Sequence, residues 1–133
     1  VGLIFTEDID GYLYTTVVKQ KSGKGVVRRQ CDPDTVVLHN SPHLKSHFII
    51  HRNGLIEHRY NTGSVLNTKD PYNCEIMIKI VMGDTEQDYC TPEQTASIMY
   101  LTSNIKEECY DICNFESEVK GINPEFFRRM LEL

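Results

Sequence analysis

The chain reads as an α+β (or α/β) protein: a mixed central β-sheet with one long helix packed on it and a short helix at the C-terminus. Three observations predict this. Apolar, β-branched-rich runs recur at 35–39, 47–52, 55–60 and 74–82, each of strand length. From Thr91 onward the apolar residues switch to helical spacing behind a strong start signal. Asn123-Pro124-Glu125 then opens a final helix carrying Phe126, Phe127, Met130 and Leu131. At 133 residues this is one domain, 1–133, large enough for a single hydrophobic core.

In chain order, residues 3–5 suit a short strand and 11–18, rich in Tyr, Thr and Val, a better one. A Ser/Gly turn follows, with Val26-Val27 as the expected return strand of a hairpin. Asp32-Pro33-Asp34 is turn chemistry, and Thr35-Val36-Val37-Leu38-His39 suits a buried central strand. Two runs, 47–52 and 55–60, flank Asn53-Gly54, the pair that favours a type I′ turn, so a hairpin is expected. A polar loop extends to about residue 73, and 74–82 alternates as a strand. Thr91 can cap a helix, Pro92 suits its first position and Gln94 completes a capping box. The helix should span about 92–112, with Ile98, Leu101, Ile105, Cys109 and Ile112 on the sheet side. Residues 114–121 are irregular or a short strand.

Forty per cent hydrophobic and 25% charged residues describe a globular chain rather than a disordered one. No apolar run is long enough to span a bilayer, so no membrane partner is expected. A net charge of −5 disfavours nucleic acid, and a protein partner is the better expectation. Lys19, Lys21, Lys24, Arg28 and Arg29 form a local basic cluster, either a solvated hairpin tip or a contact patch for an acidic surface. The five cysteines are odd in number and include no C-x-x-C, which argues against a disulfide framework and a cysteine zinc knuckle; Cys109 and Cys113, four apart on the expected helix, read as buried free thiols rather than a zinc pair. The first residues lack a signal-peptide pattern, and a reducing cytoplasm is the expected location.

The hairpin His47-Phe48-Ile49-Ile50-His51-Arg52-Asn53-Gly54-Leu55-Ile56 resembles the signature of the zinc N-acetylmuramoyl-L-alanine amidases and peptidoglycan-recognition proteins, phage lysozyme-amidases among them. Further landmarks follow in the family's order: Val37-Leu38-His39 before the hairpin, Asn73 through Ile80, Thr91-Pro92-Glu93-Gln94, and Asn123-Pro124-Glu125-Phe126-Phe127. The resemblance covers 36–133 as an amidase-like core; 1–35, with its N-terminal strands and basic hairpin, matches nothing in the family.

The resemblance implies a zinc site led by His39, and peptidoglycan as substrate or ligand. The other positions depart from it. The second ligand should fall in 115–118, which holds no His, and the third falls on Asn123, a weak amide donor. Glu116 or Glu118 could stand in for the missing His, since mixed His/Glu zinc sites exist. Ser46 stands where the family has an aromatic catalytic residue, and Gly63-Ser64-Val65 replaces Gly-Ser-His. The segment between His39 and Ser46 is too short for the helix that walls the family's groove. His47 and His51 should share a strand face, as hydrogen-bonded strand residues or, with His39 or His58, as a nonstandard metal or anion site. Arg52, His58 and Arg59 could meet a small anion, and Ser64 belongs to the cleft loop. The function expected is therefore a non-catalytic, viral or phage amidase-fold protein that binds, as inhibitor or decoy of a host protein, with no cofactor. The alternatives are an active zinc amidase using His39 with Glu116 or Glu118, and a binder of muropeptides or small ligands.

Overall fold

The computed structural model describes residues 2–7, 13–18, 26–27, 32–67, 73–83 and 89–133. Its strands are β1 (Gly2–Glu7), β2 (Leu13–Val18), β3 (Val26–Val27), β4 (Thr35–His39), β5 (Phe48–Ile50), β6 (Ile56–His58), β7 (Ser64–Val65), β8 (Glu75–Ile80) and β9 (Asn114–Ser117). The helices are α1 (Pro92–Glu108) and α2 (Pro124–Met130). Seven strands form one mixed sheet in the order β1-β2-β6-β5-β8-β4-β9, and β3 pairs with β7 in a separate two-stranded sheet. The strands β5, β8, β4 and β9 run parallel, while β5–β6 and β1–β2 are antiparallel pairs. The expected α+β arrangement is the one observed.

The N-terminal strands join this sheet, but not as a β2–β3 hairpin. Both edges of β2 are already taken, one by β1 and the other by β6, so β3 has no free edge there and pairs with β7. The basic residues Lys19, Lys21, Lys24, Arg28 and Arg29 lie outside the described residues.

Side chains alternate across the sheet. Val36, Leu38, Phe48, Ile50, Ile56, Ile76, Ile78 and Ile80 share one face and build the core with Ile98, Leu101 and Ile105 of α1. Helix α2 docks beside β9 through Phe127, stacked on Phe115 at 4.9 Å. The opposite face is therefore set by residues out of phase with this core. In register across it stand His39, Lys79, Ile49 and Glu57.

Three local expectations change. The 52–55 turn is not type I′: Gly54 is left-handed (φ 88°) but Asn53 is not among the positive-φ residues. Gly54 N–H closes a turn on His51 O at 2.8 Å and His51 N–H reaches Leu55 O at 2.9 Å, the pattern of a type I turn followed by a bulge glycine. Helix α1 stops at Glu108 because Cys109 is extended (φ −117°, ψ 91°), so Ile112 reaches the core from the following turn rather than from the helix. Cys74 is in a disulfide, against the expectation from the odd cysteine count; Cys90, Cys109 and Cys113 are thiols outside any disulfide, Cys113 exposed rather than buried.

Candidate functional site

His39 ends β4 and is 1% exposed. The chain turns back immediately, so that Ser41 N–H donates to His39 Nδ1 at 3.1 Å and Ser46 Oγ lies 2.6 Å from Nε2. A backbone N–H can only donate, so Nδ1 holds the lone pair and the neutral ring carries its proton on Nε2. Nε2 therefore donates to Ser46 Oγ. It cannot take a proton from that hydroxyl, so the pair is not an activated serine nucleophile. Burial lowers the His39 pKa from its ordinary value, Lys79 adds to the effect, and Glu118 opposes it.

Lys79 of β8 stands level with His39 on one side and Ile49 of β5 on the other. Past β9, Glu118 N–H donates to Leu38 O at 3.0 Å, which brings Glu118 alongside His39. Next to Ser46 is a pocket of about 130 Å³ whose polar lining is Lys45, Ser46, Arg59, Tyr60 and Lys79, with Ile49 as an apolar wall.

A zinc centre needs three protein donors and one open position. These residues do not supply them. Both ring nitrogens of His39 are engaged by the protein. Asn123 is exposed and caps α2, its Oδ1 accepting from Glu125 N–H at 3.0 Å. The Ser117 hydroxyl oxygen accepts from Val119 N–H at 3.2 Å. Glu116 is exposed and accepts from Asn114. A lysine ammonium in the same row adds positive charge where a cation would have to bind. Among the described residues, no group of three or more His, Cys, Asp or Glu is placed to hold a metal.

The remaining histidines are not brought together. His47 is 1% exposed; its Nδ1 accepts from Met77 N–H at 2.9 Å and its Nε2 donates to Ser64 O at 2.8 Å, tying β8 to β7. Ser64 thus contributes a carbonyl to the scaffold. His51 contacts Glu57 at 2.9 Å, and the same carboxylate takes Arg59. His58 stacks on Phe48 at 4.4 Å on the helix side, where burial lowers its pKa. Arg52 holds the start of α1, donating to Tyr89 O at 2.8 Å and Gln94 Oε1 at 3.2 Å. Of the basic residues expected to meet an anion, only Arg59 reaches the pocket. The sequence reading missed Lys45, Tyr60 and Lys79. The signal for Lys79 was its place in the alternation of β8, where it shares phase with Glu75 and Met77 and therefore faces away from the core.

No family model matches the chain, and no curated protein sequence does. Solved structures do. The N-acetylmuramoyl-L-alanine amidase LysC from Clostridium intestinale URNW superposes with a TM-score of 0.63 at 16% identity, covering 89% of this chain and 97% of LysC. The chain has the amidase fold. The Ph2119 endolysin from Thermus scotoductus MAT2119 bacteriophage Ph2119 gives 0.61 at 14% identity, over 87% of this chain and 98% of the endolysin. A selenomethionine derivative of AmpD gives 0.60 at 14% identity, over 84% and 93% of the two chains. At these identities the likeness establishes the amidase fold and leaves the chemistry to the site.

Proposed function

We propose that this chain is an amidase-fold binding protein that takes a fragment of peptidoglycan on the sheet face carrying His39. One observation carries the reading. Lys79 stands in register with His39, so the row that would serve a metal site presents a cation beside a neutral, fully engaged histidine. The ligand class follows from the solved relatives, of which LysC is an N-acetylmuramoyl-L-alanine amidase by name. The Cys74 disulfide favours an oxidising compartment over the cytoplasm expected from the sequence. A role as inhibitor or decoy of a host protein was expected from the departures at the zinc positions together with the basic segment 19–29, which lies outside the described residues except for 26–27; nothing among the described residues identifies a protein partner.

Calorimetry of the purified chain against soluble muropeptides tests the proposal. Saturable binding that weakens with added salt is expected; absence of heat with every fragment contradicts it. A second reading, hydrolysis of the N-acetylmuramoyl–L-alanine bond, draws support from two of the similar structures, which are N-acetylmuramoyl-L-alanine amidases by name. Release of free peptide from muropeptides, abolished in His39→Ala, would replace the binding reading with this one.

A further inference from the structure

The pocket beside Ser46 gathers, among the described residues, three cationic side chains, Lys45, Arg59 and Lys79. Among the described residues, Arg59 is ion-paired, to Glu57, whereas no carboxylate pairs with Lys45 or Lys79. Like charges brought together at one pocket repel, and an anion between them removes that cost. The basic wall is also held in place. Lys45 N–H donates to Asn67 Oδ1 and Asn67 Nδ2 donates back to Lys45 O, both at 2.9 Å, which fixes the backbone before any ligand arrives.

The hydrogen bonding of His39 supplies a further donor. Because Nε2 donates to Ser46 Oγ, the Ser46 hydroxyl hydrogen is left for a partner other than His39, and Ser46 lines the pocket. Two ammonium groups with hydroxyl donors suit a carboxylate or phosphate oxygen through charge-assisted hydrogen bonds. Size narrows the choice. About 130 Å³ falls well below the ~300 Å³ at which drug-sized pockets begin. A pocket of this size suits one small group.

We infer that this pocket is an oxyanion subsite, binding one carboxylate or phosphate group between Lys79, Lys45 and the Ser46 hydroxyl. It deepens the proposed function, and relies on that reading only for the carboxylate source, the free acid of an N-acetylmuramoyl-L-alanine-type ligand.

The test is calorimetry on the full chain with three probes: N-acetylmuramoyl-L-alanine, its C-terminal amide, and inorganic phosphate. Lys79→Gln and the exposed Lys45→Gln are measured beside it, with thermal unfolding as the check on folding. The acid should bind at least about tenfold tighter than the amide, phosphate should compete with it, and each variant should weaken the acid by about tenfold while leaving the amide unchanged. Phosphate binding that depends on Lys79, with neither muramoyl compound binding, upholds the oxyanion subsite and overturns the peptidoglycan reading. Equal binding of acid and amide, unchanged in both variants, overturns the subsite and leaves the proposed function standing. No binding of any probe overturns both.

Discussion

His39 and Lys79 sit level on neighbouring strands, and their pairing decides what the site can do. A buried histidine with both nitrogens satisfied is first a structural residue. His39→Ala removes the partner of Ser46 Oγ and of Ser41 N–H, and should cost about 2–3 kcal/mol in urea unfolding. The titrating residues predict a two-stage acid response. His58 and His39 each have a folded pKa lowered from 6.5, chiefly by burial. Each unfolded ring therefore gains its proton first as pH falls, so these contributions are full above 6.5 and are lost as pH drops through that value towards the folded ones. Burial alone would raise the Glu57 carboxyl, but hydrogen bonds and charge from Arg59 and His51 outweigh it and hold it below 4.5. Its contribution is full above 4.5 and is lost below that. Denaturation curves at stepped pH should show a plateau above 6.5, a first decline below it that His58→Phe reduces, and a second decline below 4.5. A flat profile between 6.5 and 4.5 would contradict the His58 and His39 assignments.

At the scale of elements, Gln94 does more than close a capping box. Its Oε1 accepts from Thr91 N–H and Arg52, while its Nε2 donates to Val81 O at 2.6 Å and Ile50 O at 3.3 Å. One buried amide thus joins the start of α1 to the ends of β5 and β8. Gln94→Ala should cost about 2–4 kcal/mol, against about 1 kcal/mol for an ordinary cap, read from the shift in denaturation midpoint. Gly54→Ala should cost about 2 kcal/mol or more by the same measurement. The position is left-handed, and a Cβ there would lie 3.0 Å from Glu93 O. The capping box and the place of the hairpin turn at Asn53-Gly54 were legible because both are local chemistry, although the turn is type I with a bulge glycine rather than the expected type I′. So was strand β4, which the apolar run 35–39 located residue for residue. The partner of β3 was not legible, since pairing depends on which edges the rest of the sheet leaves open. Nor was the end of α1, where the apolar spacing continues through Ile112 although the backbone leaves the helix at Cys109.

At the scale of the molecule, landmarks in amidase order predicted a fold that the solved structures share over most of the chain. The site was less legible. His39 could be picked out as the end of its strand, but its engagement by Ser41 and Ser46 could not, because it depends on how 40–46 folds back. Lys79 could be found only by carrying strand phase across from β4 to β8. The Cys74 disulfide predicts that reduction lowers the unfolding temperature, with Cys74→Ser costing about 2–4 kcal/mol and removing the response to reductant. The central claim is that the amidase fold here presents an anion site in place of a metal centre. Metal analysis of the purified chain, saturated with zinc and then dialysed, tests it most directly. The account predicts no retained stoichiometric zinc and the same residual level in His39→Ala; one zinc per chain, lost in that variant, would contradict it.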